Sequence, residues 1–216
     1  MAAYSTVDRD FPSVSHANFV LVTADLSAAD PTALAVRLLD AHGPIELIAN
    51  NVGVNHRRTF LQERDDEQLV RSFRANLHSP AFLTKRLVEA LIAAGLPGSV
   101  LFVSSLHDHH VRLHPSYSVA KAGVAMLVKE MAYELAPHRI RVNAVSPGWV
   151  ETAGPGEERI PEQEAAKLIP AGRFGEPDDV ARIALTLLDD AWSGYVTGAN
   201  IPVDGGLALH NWLMDV

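Results

Sequence analysis

The 216-residue chain has no cysteine, which excludes disulfides, thiolate catalysis and cysteine metal sites and fits a reducing compartment. Aromatic residues make up only 6%. The first glycine is Gly43, so no glycine-rich turn precedes it. No apolar run reaches the roughly 18 residues that a membrane-spanning helix needs, and the N-terminus lacks the charged-then-apolar pattern of a signal segment. Acidic residues outnumber basic ones, 26 against 18, for a net charge of −8. That balance argues against nucleic acid or an anionic membrane as partner, since both need basic surface. These absences leave the expectation of a soluble, cytoplasmic protein that acts on a small molecule.

What is present reads as one domain, residues 1–216. Hydrophobic residues are 48% and charged residues 20%, ordinary for a globular α/β protein. Short apolar runs alternate with segments of helical spacing, the pattern of a parallel sheet covered on both faces. Strands are expected at Phe19 to Val22, Ile45 to Ala49, Val100 to Val103, Ile140 to Val145 and Ala199 to Val203. Helices are expected at Pro31 to His42, Glu67 to Ala93, Tyr117 to Ala136 and Pro177 to Leu188, with Pro31 and Pro177 in the first turn, where a proline is tolerated. Residues 1–17 read either as a remnant of a strand or as a tail. Residues 153–169, with Gly154-Pro155-Gly156 at the start, read as the most mobile segment.

Chemistry concentrates in one stretch. Tyr117 and Lys121 lie four residues apart, on one helix face, just after the strand end Val103-Ser104-Ser105. An ammonium beside a phenol favours the phenolate, so the spacing predicts a tyrosine that titrates below the usual value of about 10. A nearby serine hydroxyl could hydrogen-bond a carbonyl or alcohol. Ser104 and Ser105, adjacent on a strand end, point to opposite sides, and residue type alone leaves the choice open. His107, Asp108, His109, His110 and His114 crowd the loop between serine and tyrosine. They admit a metal site, a substrate contact or a solvated loop.

On these residues the chain resembles the short-chain dehydrogenase/reductase family, and further motifs extend the resemblance over roughly residues 18 to 208. Asn50-Asn51-Val52-Gly53 is similar to the family's Asn-Asn-Ala-Gly, and Asn76 matches its helix asparagine. Arg141 to Thr152 matches the Pro-Gly segment, while Gly172 to Val180 and Thr197 to Gly206 resemble the C-terminal signatures. The resemblance implies a Rossmann-like, doubly wound, mainly parallel sheet and a catalytic set of Asn76, Ser105, Tyr117 and Lys121, with Ser104 the alternative serine. Tyr117 would be the general acid/base and Lys121 would also hold the nicotinamide ribose. It implies NAD or NADP as cofactor, with Asp25 and Leu26 at the adenine, Asn51 and Gly53 at the adenosine ribose, and Pro147, Gly148, Val150 and Thr152 beside the nicotinamide. Asp8 would favour NAD by repelling a 2′-phosphate. Residues 153–169 would form the substrate lid, and a homodimer or homotetramer is implied, supported by the apolar tail Leu207 to Met214.

One family motif has no counterpart: the Thr-Gly-x-x-x-Gly-x-Gly turn that lets backbone N–H groups reach the cofactor pyrophosphate. The expected fold is therefore the family core with its first βα unit missing or incomplete. Two or three lost charge-assisted hydrogen bonds, at about 1.5–3 kcal/mol each, would weaken cofactor binding by roughly 10²–10⁶-fold. Three functions follow: NAD(P)-dependent interconversion of an alcohol and a carbonyl, cofactor-independent isomerase, lyase or cyclase chemistry, or a non-catalytic binding subunit.

Overall fold

In the computed structural model, which describes residues 2–4, 21–63, 66–151, 161, 163 and 167–209, every strand pairing is parallel. Strands β3 (Leu47–Asn50), β4 (Gly98–Val103), β5 (Ile140–Pro147) and β6 (Asn200–Val203) form a four-stranded sheet in that order, and β1 (Ala2–Tyr4) pairs with β2 (Leu21–Thr23). The register runs Val100 opposite Val142 and Phe102 opposite Ala144, and Val145 opposite Ile201. The architecture is a Rossmann-like α/β fold, as the family resemblance implied, with the parallel sheet that the alternation of elements predicted.

The strand sequences are apolar at consecutive positions because both faces are covered. Val100 and Phe102 of β4 and Val142 and Ala144 of β5 pack into one core with Leu34 and Leu38 of α1 (Pro31–His42), Leu87 and Leu91 of α3 (Ser79–Ala94), and Val124 and Val128 of α4 (Pro115–Leu135). The intervening residues Leu101 and Val145 face the other way, against Leu187 of α5 (Pro177–Leu188), with Val103, Ile183 and Ile201. Burial of each large aliphatic side chain contributes about 1.5–3 kcal/mol. β3 is less protected: Ile48 enters the first core, whereas Leu47 is 61% exposed. Among the described residues β3 pairs only with β4.

Local chemistry sets the helix ends. Asp30 accepts a hydrogen bond from the Thr32 N–H at 2.8 Å, Pro31 occupies the first turn, and Gly43 ends α1 at φ 71°, a conformation open to glycine. The expected strands are found with shifted bounds; Phe19 and Val20 lie outside the described residues. The expected helix Glu67 to Ala93 is one uninterrupted helical run, α2 (Asp66–Phe73) passing through a π-turn at Arg74–His78 into α3. The periodicity gives no sign of the π-turn, which carries Asn76, described below. Arg141, at the start of β5, is buried and ties the sheet to α5 and to α6 (Asp190–Ser193). Its guanidinium donates to the carbonyls of Leu187 at 2.8 Å and Leu188 at 3.2 Å, to Ser193 Oγ at 3.1 Å and to Asp190 Oδ1 at 2.9 Å.

Candidate active site

The candidate site lies where ligands bind in open α/β sheets, beyond the carboxyl ends of the strands. Helix α4 opens with Pro115 in its first turn and runs through small residues, so its buried stripe of Ala120, Lys121, Val124 and Val128 lies close to the sheet. Lys121 is only 2% exposed. Its Nζ donates to the Val103 carbonyl at 2.8 Å and the Val52 carbonyl at 3.0 Å, linking the ends of β4 and β3. Burial pulls its pKa down to about 8, against a smaller upward pull from Asp108. Nζ stands 5.5 Å from the centre of the Tyr117 ring.

Tyr117 departs from the expectation of an acidified phenol. Burial pushes its pKa above the ordinary value, the Ser105 hydroxyl beside it pulls downward, and the Asp108 charge pushes upward. Desolvation disfavours the phenolate, and spacing along a helix could not reveal that burial. The protein at rest therefore holds a protonated phenol beside a cationic lysine through neutral pH.

The two serines separate as the strand alternation requires. Ser104 is buried and donates to Asp108 Oδ2 at 2.9 Å. Ser105, half-buried, opens the turn Leu106–Asp108, accepts from the His107 N–H at 3.3 Å and faces Tyr117. The structure thus brings Ser105, not Ser104, to the phenol. The histidines of the loop disperse among separate partners. His107 is hydrogen-bonded to Ser118 Oγ at 3.0 Å and lies edge-on to the Tyr117 ring at 5.0 Å; burial lowers its pKa to about 4, so it is neutral at pH 7. His114 stacks on His107 at 5.5 Å and pairs with Asn55 at 3.1 Å. His110 donates to the Ala208 carbonyl at 3.2 Å, and His109 pairs with Asp108.

Asn76 sits in the π-turn, 2% exposed. The Val54 N–H donates to its Oδ1 at 2.7 Å, and its Nδ2 donates to the Val54 carbonyl at 2.9 Å and to Ser72 Oγ at 3.1 Å. One side chain thus satisfies both backbone groups of Val54 and fixes the loop after β3. The π-turn in the otherwise continuous helix places Asn76 for this clamp, in keeping with the occurrence of single π-turns at functional positions. Gly53, held in that loop, packs directly against the reactive groups. A Cβ there would lie 3.5 Å from the Tyr117 hydroxyl and 3.9 Å from Lys121 Nζ.

The residues proposed for a nicotinamide cofactor divide into two groups. Asn51, Gly53, Pro147, Gly148 and Val150 lie at or just beyond the ends of β3 and β5. Asp25 forms a turn instead, accepting from the Ser27 N–H at 2.9 Å and the Ser27 hydroxyl at 2.7 Å, and the Leu26 side chain belongs to the core. A turn carboxylate keeps a second oxygen, and a core leucine keeps its backbone groups, so both positions remain compatible with an adenine contact. Thr152, Asp8 and most of the expected lid 153–169 lie outside the described residues, as does the tail beyond Leu209.

Gly148 is required by packing. A Cβ there would come within 2.6 Å of Asp204 Cβ and 2.8 Å of its Cα. Asp204 cannot yield, because its carboxylate accepts from the N–H groups of Gly206 at 2.9 Å and Ala208 at 2.7 Å. Gly148→Ala should therefore cost about 1–3 kcal/mol through overpacking, read as a lower midpoint in thermal unfolding. An unchanged midpoint would show that the Asp204 turn moves freely.

Known proteins are similar to this chain in sequence and in fold. A family model described as enoyl-(acyl carrier protein) reductase matches residues 9–208. D-erythrulose reductase of Gallus gallus is 40% identical over 189 residues, which are 86% of this chain and 75% of that protein. L-xylulose reductase of Homo sapiens is 40% identical over 174 residues, 79% of this chain and 70% of that protein. Among solved structures, acetoin dehydrogenase from Salmonella typhimurium superposes with a TM-score of 0.79 at 27% identity, covering 89% of this chain and 77% of its own. The chain belongs to the short-chain dehydrogenase/reductase family and is an oxidoreductase of that class. Among the described residues no helix is long and apolar enough to cross a membrane.

Sequence inspection missed Asp108 as a structural hub, along with its partners Ser146 and Asn200. Its only signal was a carboxylate in a loop of imidazoles, which reads equally as solvated surface.

Proposed function

We propose that the protein interconverts a small α-hydroxy ketone and the corresponding diol, with NAD or NADP as hydride partner. The observation that carries this reading is the convergence of the Tyr117 phenol, the Ser105 hydroxyl and the Lys121 ammonium beside Gly53. Ser105 donates to the substrate oxygen and orients it. Tyr117 gives a proton to that oxygen in reduction and takes it in oxidation. Lys121, a cation below about pH 8, offsets the charge left on Tyr117. Asn76 acts through Val54 by fixing the Gly53 loop against Tyr117 and Lys121. A nicotinamide, when bound, supplies or accepts hydride at the carbonyl carbon. Asn51, Gly53, Lys121, Pro147, Gly148, Val150 and Thr152 are the residues proposed to hold it, with Asp25 and Leu26 at the adenine.

The substrate class draws on two lines of support. Erythrulose, xylulose and acetoin, named for the three relatives, are all ketones flanked by a carbinol. In this chain His107 lies edge-on to Tyr117, with Ser118 and His114 in contact with His107 and Asn55 beyond His114, a chain of polar groups suited to a hydroxylated substrate. A homodimer or homotetramer is proposed through the exposed apolar residues Phe82 of α3 and Val119, Met126 and Tyr133 of α4, which seldom stay bare.

The two serines test the assignment. Ser105→Ala should lower kcat by about 10²-fold or more through loss of a transition-state hydrogen bond, with the unfolding midpoint nearly unchanged. Ser104→Ala should instead act mainly on stability. The reverse ranking of kcat would refute the proposed roles.

A further inference from the structure

We propose that Asp108 is a positioning residue of this site: its buried carboxylate pins the turn carrying Ser105 and His107 to three strand ends and sets a fixed negative charge behind the Tyr117–Lys121 pair. The proposal rests on the reading of Tyr117 as the proton-transfer group.

The Asp108 side chain is 1% exposed. Its Oδ2 accepts from Ser104 Oγ at 2.9 Å, Ser146 Oγ at 2.6 Å and Asn200 Nδ2 at 2.7 Å, while Oδ1 faces His109. These partners come from the ends of β4 and β5 and the start of β6, so one carboxylate ties three parallel strands to the loop above them. Its own N–H donates to the Ser105 carbonyl at 2.9 Å, closing the turn that aims the Ser105 hydroxyl. A carboxylate holding that many donors is ionised: its pKa lies below the ordinary value despite burial, which alone would raise it. Its charge reaches the reacting groups, raising the pKa of Tyr117, Lys121 and His107 alike. The other charged or titratable groups around them are His109 against Asp108, His114 against His107, Arg112 acting on His107 and Arg57 acting on His114. Among these anions and cations, Asp108 is the carboxylate that acts on Lys121. It keeps the buried lysine charged to a higher pH than its burial would allow.

Geometry and charge can be separated. In Asp108→Asn the amide oxygen can take the place of Oδ2 and accept the same three hydrogen bonds, while its NH₂ faces His109, whose neutral ring can accept. Asp108→Ala removes both. The experiment is an NMR titration of the lysines, labelled at 13Cε, in the full chain between pH 6 and 11, with Lys121→Arg to assign the signal; kcat, KM and thermal unfolding are measured on the same variants. Asp108→Asn should move the Lys121 ionisation to lower pH by about half a unit or more, with its unfolding midpoint close to the parent's. Asp108→Ala should lose at least about tenfold in kcat, with KM changing less, and Asp108→Asn should recover most of that loss at its own pH optimum. A Lys121 titration identical in parent and Asp108→Asn, or a kcat in Asp108→Ala within twofold of the parent, would overturn the proposal. If the parent turns over no hydroxy ketone yet its lysine shifts as stated, the electrostatic arrangement stands and the proposed function fails.

Discussion

Tyr117→Phe is expected to cut turnover by about 10²–10⁴-fold, the contribution of a positioned general acid/base, with the unfolding midpoint nearly unchanged. The variant keeps the ring, and with it the edge-on contact to His107 at 5.0 Å; only the hydroxyl is lost. The pH dependence has a definite sign. Burial raises the pKa of Tyr117 and lowers that of Lys121 to about 8. Reduction needs the protonated phenol, so its rate should be flat through neutral pH and fall at alkaline pH as first the lysine and then the phenol lose protons. Oxidation needs the phenolate, so its rate should rise with pH from neutrality. Steady-state rates in both directions check this. A Tyr117→Phe enzyme within a few-fold of the parent would remove Tyr117 from the chemistry and leave His107, the nearest imidazole, as the group to test.

Arg141→Met should be the most destabilising change outside the core clusters. The guanidinium side chain is 10% exposed and the Asp190 carboxylate it pairs with is 86% exposed, so that ion pair is screened and contributes under about 1 kcal/mol. The larger part lies with the hydrogen bonds to the carbonyls of Leu187, Leu188 and Val196 and to the Ser193 hydroxyl, although Leu187 and Ser193 keep each other as partners. Hydrogen bonds to a charged group contribute about 1.5–3 kcal/mol each, and with those remaining partners the net loss is of order 3–5 kcal/mol. For a domain of this size that corresponds to a fall of roughly 6–20 °C in Tm. Asp190→Ala should cost little by the same argument. Thermal denaturation of the two variants side by side distinguishes the contributions, and equal effects would contradict the account.

The parallel sheet was legible because its cause is local: apolar runs without alternation can only be strands covered on both faces, and Pro31 and Pro177 mark helix starts that the structure reproduces. The helix carrying Tyr117 and Lys121 was legible for the same reason. What the sequence concealed depends on tertiary contact. Asn76 sits in a π-turn that the helical periodicity does not reveal, and it meets Val54, 22 residues earlier, which offers it both a donor and an acceptor. Tyr117 is less acidic than its neighbour suggested, because burial is not written in spacing. Asp108 gathers Ser104, Ser146 and Asn200 from positions up to 92 residues away, and no local pattern announces that meeting. The choice between Ser104 and Ser105 lay between these cases: alternation said that they diverge, and only the fold says which one meets the phenol.

The central claim is that hydride passes between a nicotinamide and a carbonyl carbon while Tyr117 handles the proton. The direct measurement supplies NADH or NADPH carrying deuterium at the transferring C4 position, with acetoin, erythrulose or xylulose as substrate, and reads the product by mass spectrometry. The account predicts a diol with one deuterium on the new carbinol carbon, formed by the parent and lost in Tyr117→Phe. Product that forms without deuterium, or forms equally well with no nicotinamide present, would contradict it.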